Sequence, residues 1–173
     1  VSLRSFLATF HRPTTKALCS EIELNMREPK SINVFLYRMM EEGREYLLFK
    51  RTANPELALP AFWQGITGGM EAGETLEETA LREVYEESGI KISNLLSSEY
   101  SYEYPIKEEW KDNYSKGASF IKEYVYSAQI EEEPLLSNEH NEFGWFNLDK
   151  AMELLSFGNN KEALLRVEAS LNA

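Results

Sequence analysis

The sequence predicts an α/β domain in which strands and helices pack in layers, and three observations carry that prediction. Short apolar runs bounded by turn residues occur both before and after the middle of the chain. Between them lies a segment with a 3.6-residue apolar stripe and both end signals of a helix. The chain has 173 residues, a little over one domain's worth, and 43% of them are hydrophobic, enough to bury a core without disulfides.

Residues 1–30 are the least regular part. Arg4, His11, Arg12 and Lys16 stand among Ser and Thr with no acid before Glu21, a composition faintly like a transit peptide, but the segment is expected to be an extension packed on a domain spanning 31–173. The run Val34 to Tyr37 and the run Tyr46 to Phe49 flank Glu41-Glu42-Gly43, which predicts two strands and a tight turn. After a loop with Asn54-Pro55 and Pro60, Phe62 to Gly69 reads as a short strand entering a glycine turn. Thr75 to Ser88 is the predicted helix: Thr75 and Glu78 form a capping box, and Leu76, Ala80 and Val84 make an i, i+4, i+8 stripe. Gly89 stands where a helix end wants a positive φ. Strand character returns from Ile90, with Tyr100, Tyr102 and Tyr104 alternating, and a polar excursion from Lys107 to Gly117 leads to a strand over Phe120 to Gln129. A last strand, Phe143 to Phe146, precedes two helical segments on either side of Gly158-Asn159-Asn160.

Charge narrows the function classes. There are 29 acids against 18 bases, for a net charge of -11, and 27 of the acids are Glu. Binding to a nucleic-acid duplex needs clustered Lys and Arg and is not expected. No apolar run approaches the roughly 18 residues of a membrane helix. The single Cys19 excludes a disulfide framework or a Cys-based zinc site and suits a reducing, cytoplasmic compartment. The window from Gly68 to Ile90 holds seven acids and only Arg82 as a base, so more than half of the net charge is concentrated there.

Within that window Glu83, Glu86 and Glu87 are spaced i, i+3, i+4, which sets three carboxylates on one helix face. Such a face is either simply solvated or held together by a cation, and clustered hard oxygens suit magnesium or manganese. The pattern is more specific than the face. Gly68, five residues, Glu74, seven residues, Arg82-Glu83-Val84, one residue, Glu86-Glu87, one residue, Gly89-Ile90 resembles the Nudix box at every fixed position. The order of the flanking strands and helices is similar to the Nudix α/β/α sandwich with its mixed sheet.

That resemblance implies metal-dependent hydrolysis of a nucleoside diphosphate linked to another moiety, with Mg2+ or Mn2+ as cofactor, a small nucleotide or polyphosphate as the partner, and homodimers as a common assembly. It implies Glu83, Glu86, Glu87 and the carbonyl of Thr67 as metal ligands, with Glu123 as a further ligand from a later strand. Arg82 and Glu74 are expected to orient the cluster, with Glu83 or Glu86 as general base and Glu139 and Glu142 in reserve. Phe62 to Gly68 and Lys50-Arg51 resemble the bacterial dATP and dihydroneopterin triphosphate pyrophosphohydrolases. Ser137-Asn138-Glu139-His140 with Trp145 is similar both to that group and to the diadenosine tetraphosphate hydrolases.

On these matches Arg51 is expected to reach a phosphate, Gln64 to bind substrate, and Trp63 with one of Tyr102, Tyr104 or Trp110 to stack a base, while Arg51 on the surface and Trp63 and Tyr102 in the core are the ordinary alternatives. Lys107, Lys111 and Lys116 are placed to meet outer phosphates, or simply water, and His140 to brace its loop. The leading expectation is a triphosphate pyrophosphohydrolase releasing monophosphate and pyrophosphate. A dinucleoside polyphosphate hydrolase is the alternative enzyme, a non-catalytic nucleotide-binding module the alternative class, and an acidic scaffold the remaining reading.

Overall fold

The computed structural model describes residues 27–53, 60–114 and 117–173. Most of the expected N-terminal extension, the Asn54-Pro55 loop and Lys116 therefore lie outside the described residues.

Strand β1, Lys30–Met40, is the centre of the molecule. Ser31 to Tyr37 is buried on both faces, which explains why this stretch reads as a nearly continuous apolar run rather than an alternating one. The turn at Gly43, with φ +126°, returns it into β2, Gly43–Arg51, in antiparallel register with Leu36 opposite Leu47. β3, Phe62–Gln64, and β4, Ile66–Gly69, follow. The single strand expected here is broken at Gly65, so that β3 pairs with β2 and β4 with β1. A Cβ at Gly65 would lie 2.7 Å from Asn33 Oδ1 and 2.9 Å from the Val34 carbonyl, so only glycine lets the chain cross so close to β1.

Helix α1, Leu76–Ser88, has the predicted capping box, with Glu78 N donating to Thr75 Oγ1 at 3.2 Å and Thr75 N to Glu78 Oε2 at 2.8 Å. Gly89 closes it at φ +71°. β5, Leu96–Pro105, starts later than the apolar pattern from Ile90 suggests. The ladder to β6, Phe120–Gln129, shifts between Ser97 and Ser101, where Glu99 takes φ +55°. The excursion between them contains a 3-10 turn, Glu108–Asn113. β7, His140–Asn147, runs straight into α2, Leu148–Leu154. The last helix, α3, Gly158–Leu171, begins on the Gly-Asn-Asn tract expected to separate two helices. The first turn of a helix needs no intrahelical N–H partners, which makes Gly and Asn tolerable there.

The sheet order is β3-β2-β1-β6-β5, with β4 also on β1 and β7 also on β2, and β1 and β6 are parallel while the other pairs are antiparallel. One face packs Ile32, Val34, Leu36, Tyr126 and Ala128 against Ala80 and Val84 of α1. The other packs Phe35, Tyr37, Tyr46, Leu48 and Val125 against Ala151 of α2, Leu155 at its C-terminal cap, and Ala163, Leu164 and Val167 of α3. Each fully buried large side chain contributes about 1.5–3 kcal/mol, so both faces must stay covered. The result is the α/β/α sandwich with a mixed sheet that the sequence predicts. Among the described residues no helix is long and apolar enough to cross a membrane.

Candidate active site

Arg82 organises the acidic face of α1. Its Nε and Nη2 take Glu74 in a bidentate grip at 2.7 and 2.9 Å, Nη2 also donates to the Gly69 carbonyl at 3.1 Å, and Nη1 reaches Glu83 at 2.7 Å and Glu86 at 3.3 Å. Glu74 further accepts from Glu71 N at 3.0 Å and Thr79 Oγ1 at 2.9 Å. The Arg82 guanidinium, outweighing partial burial, holds its carboxyl down at about 2. Glu83 touches the same guanidinium, yet its pKa is raised, because burial outweighs that contact and Glu86 and Glu139 face it with like charge. Gly68 is the reason Glu83 fits at all, since a Cβ there would stand 1.9 Å from Glu83 Cδ.

Glu87 turns the other way, into the protein. It is 5% exposed, and burial, followed by Glu83 and Glu139, pushes its carboxyl up to about 9. Its Oε2 lies 3.6 Å from His140 Nε2, too long for a hydrogen bond, and neither atom has another partner. Burial, then Arg51, lowers the pKa of His140, so the ring is neutral near pH 7. The ring packs 5.1 Å from Phe49 with Nδ1 3.4 Å from Ser137 Oγ, a bracing position like the one expected. Arg51 stands beside this pair and holds Glu139 at 3.3 Å.

Among the described residues no three acidic or imidazole side chains close round one point as a finished cage. Glu83 and Glu86 turn to Arg82, whereas Glu87 turns inward. The donor set nevertheless fits a hard divalent cation: Glu87 Oε2 is a buried oxygen without a hydrogen-bond partner, and Glu83 and Glu87, both raised by burial and by neighbouring like charge, are carboxyls that a bound cation would return to the charged form.

The structure brings Arg51, Glu74, Arg82, Glu83, Glu86, Glu87 and Glu139 together, but not Glu123. On β6 the side chains of Tyr124 and Tyr126 join the α1 face, so Glu123 and Val125 point to the α3 face. β6 is an interior strand, and Glu123 is 5% exposed, which makes it neither a neighbour of the α1 carboxylates nor a solvated edge residue. It accepts from Ser31 Oγ at 2.9 Å, from Tyr104 Oη at 3.2 Å and from Tyr102 Oη. Burial raises its pKa and these hydroxyls oppose the rise. With Phe62, Gln64, Thr67, Phe157 and Asn160, the side chains of Glu123, Tyr102 and Tyr104 line a cavity of about 340 Å3. Gln64 and Tyr102 are thus in a pocket as expected, whereas Trp63 is edge-on to Phe146 at 5.2 Å, packed against the core, and is not a pocket wall. Glu142 pairs with Lys50 at 3.0 Å on the surface. Lys111 pairs with Glu108 at 2.5 Å, and Lys107 lies over Trp110.

Asn160 lines this pocket and Asn33, fully buried, backs it, although no motif points to them. Asn33 Nδ2 donates to Asn160 Oδ1 at 3.4 Å, and Asn33 Oδ1 is buried without a partner. A signal for Asn33 exists all the same, because a lone amide inside the apolar run Ile32 to Tyr37 has to find polar company. Two backbone neighbours link the pocket to the acidic cluster: Thr67, a pocket wall, precedes Gly68, which lies against Glu83, and Phe62, another wall, is the register partner of Arg51.

Comparison with known proteins agrees with this geometry. Residues 29–167 match the NUDIX domain model. The chain is 30% identical over 153 residues to the dihydroneopterin triphosphate diphosphatase of Haemophilus influenzae, covering 85% of this chain and 92% of that protein. It is 27% identical over 143 residues to the enzyme of the same name from Escherichia coli K12, covering 80% and 91%. The structure of the E. coli dihydroneopterin triphosphate pyrophosphohydrolase superposes with a TM-score of 0.66 at 26% identity over 86% of this chain and 99% of that one. A Caenorhabditis elegans Ap4A hydrolase shares the fold, with a TM-score of 0.62 at 21% identity over 83% of this chain and 97% of that one. With a complete box on α1, a match over most of the chain and the same sandwich, the protein belongs to the Nudix family of hydrolases and is a pyrophosphohydrolase.

Proposed function

We propose that the chain hydrolyses a triphosphate carried by a pterin or a nucleoside, releasing the monophosphate and pyrophosphate. The observation that carries this reading is a set of Arg82-braced carboxylates, with Glu83 lying against Gly68, one residue from Thr67 in the wall of a pocket sized for one heterocycle. Likeness over 85% of the chain to a dihydroneopterin triphosphate diphosphatase puts that pterin triphosphate first among the substrates.

Glu83, Glu86, Glu87 and the Thr67 carbonyl would hold Mg2+ or Mn2+, with Glu139 in place of Glu123 as the further carboxylate. Such an ion supplies charge neutralisation at phosphate oxygens and a more acidic water. Arg82, fixed from behind by Glu74, keeps Glu83 and Glu86 in position. Arg51 pairs with a phosphate oxygen while its own carboxylate partner, Glu139, stays beside it. Glu86, with a side chain 56% exposed and one 3.3 Å contact to Arg82, takes the proton of the attacking water. The water oxygen bonds to phosphorus as the anhydride P–O bond breaks, and the electron pair leaves with pyrophosphate. The cytoplasm is the compartment this reading proposes, and the chain's single cysteine, Cys19, suits a reducing environment.

A product-resolved assay with magnesium and with manganese tests the reading. Pyrophosphate and monophosphate from dihydroneopterin triphosphate or a nucleoside triphosphate support it. Turnover of diadenosine tetraphosphate to ATP in their place, or nucleotide binding without turnover, overturns it.

A further inference from the structure

The Glu123 pocket is too particular to be a passive slot. A buried carboxylate is costly unless it is hydrogen-bonded, and here Ser31, Tyr102 and Tyr104 are spent on it. Two of those donors have a second acceptor in reach. Tyr104 Oη lies 3.4 Å from Ser31 Oγ, and Tyr102 Oη lies 3.1 Å from Asn160 Oδ1. If both hydroxyls rotate to these alternatives, Ser31 keeps the carboxylate anchored, and a lone pair opens on each carboxylate oxygen without orphaning a proton.

We infer that Glu123 is the residue that reads the heterocycle, accepting from two adjacent N–H donors of a 2-amino-4-oxopyrimidine edge. This rests on the triphosphate reading above and names the substrate class within it. Pterin and guanine share that edge, one ring N–H beside an exocyclic amino group. Adenine and cytosine instead present a ring nitrogen acceptor, which would confront the buried carboxylate with a lone pair. The amides of Asn160 and Gln64, both buried and lining the same cavity, supply donors for the neighbouring carbonyl oxygen. Phe62 and Phe157, edge to face at 4.9 Å, form the apolar end of the pocket. Phe62 is the register partner of Arg51, and Thr67 in the pocket wall precedes Gly68 beside Glu83, so the pocket borders the strands that carry the phosphate-side residues.

The test has two arms. In the first, phosphate-free probes are titrated into the wild-type protein, so that the outcome does not depend on catalysis. Neopterin and guanosine are expected to bind at least about tenfold more tightly than adenosine, the least a mismatched polar edge should cost. Equal affinity for adenosine overturns the inference even if the enzyme is active. In the second arm, kcat/KM is measured for dihydroneopterin triphosphate, GTP and ATP with wild type and Glu123→Gln. Gln keeps the shape but replaces one acceptor by a donor. The variant is expected to lose on the order of 10²-fold or more in kcat/KM for the pterin and guanine substrates, mainly through KM, with ATP little changed. An unchanged ratio between GTP and ATP overturns the inference. If Glu123→Gln does not fold, the wild-type probe titration decides alone. If the wild type hydrolyses no triphosphate yet discriminates guanosine from adenosine, the activity reading fails and the recognition role stands.

Discussion

A methyl group at Gly68 should separate catalysis from folding. Built on the present backbone, that Cβ lies 1.9 Å from Glu83 Cδ, 2.0 Å from Oε1 and 2.3 Å from Cγ. Relieving the overlap moves the Glu83 carboxylate by about 1.5 Å, since carbon contacts settle near 3.5–4.0 Å. The backbone at Gly68 is not left-handed, so alanine itself is not strained there, and what gives way is the end of a flexible side chain. The stability cost is chiefly the 2.7 Å contact from Arg82 to Glu83, about 1 kcal/mol for a partly buried charge-assisted bond, or a fall in Tm of about 2–4 °C. The catalytic cost is larger, because a misplacement of about 1 Å in a reacting constellation costs on the order of 10²-fold. Gly68→Ala is therefore expected to keep a cooperative thermal transition close to that of wild type while kcat for pyrophosphate release in magnesium falls about 10²-fold. An unchanged kcat would refute the placement of Glu83 at the reacting centre. Complete unfolding would refute the claim that only a side-chain end has to move.

Glu86→Gln is expected to lower kcat by about 10²-fold or more without moving Tm, since its side chain is 56% exposed; full activity would remove Glu86 as the base. Glu74→Gln should destabilise in a pH-dependent way. The Glu74 carboxyl sits at about 2 in the fold against an ordinary 4.5, so its contribution is complete above 4.5 and is lost as pH falls toward 2. The difference in urea midpoint between wild type and Glu74→Gln, at most about 3 kcal/mol in free energy, should shrink steadily as pH drops below 5. A gap independent of pH contradicts the role given to the Arg82 pair. Gly89→Ala, which forces φ +71° on an L residue at the end of α1, should cost about 1 kcal/mol and leave kcat intact, as read by thermal melting and turnover together.

Local interactions make the α1 half of the site legible in the amino-acid sequence. The capping box Thr75/Glu78, the stripe Leu76, Ala80 and Val84 and the αL residue Gly89 are all satisfied within α1 or by its immediate ends, so their spacing in the chain determines their place in space. The same holds for Arg82 and Glu86, one helical turn apart, and for the β1–β2 hairpin at Gly43. Glu74 and Arg82 can be paired because the box repeats their separation, even though their contact bridges a loop and a helix.

What lies beyond α1 depends on pairing between distant strands. Glu123 sits in an alternating strand, and alternation tells which residues share a face but not which face looks at which helix; the parallel register of β6 on β1 decides that, turning Glu123 toward Asn160 and away from Glu87. Glu139 reaches the acidic cluster because β7 pairs with β2, which sets its loop beside Arg51, far away in the chain. Trp63 packs against the core rather than into the pocket because Phe146 and Leu155 meet it from elements with no sequence proximity to it. The sequence by itself therefore determined the acidic helix, its caps and the chemistry of its carboxylates, because those are local properties of one helix. Which acid lies beside the α1 carboxylates and Arg51 and which lines the pocket was set only by the folded chain, because both places follow from the registers of β6 and β7, which no short-range pattern contains.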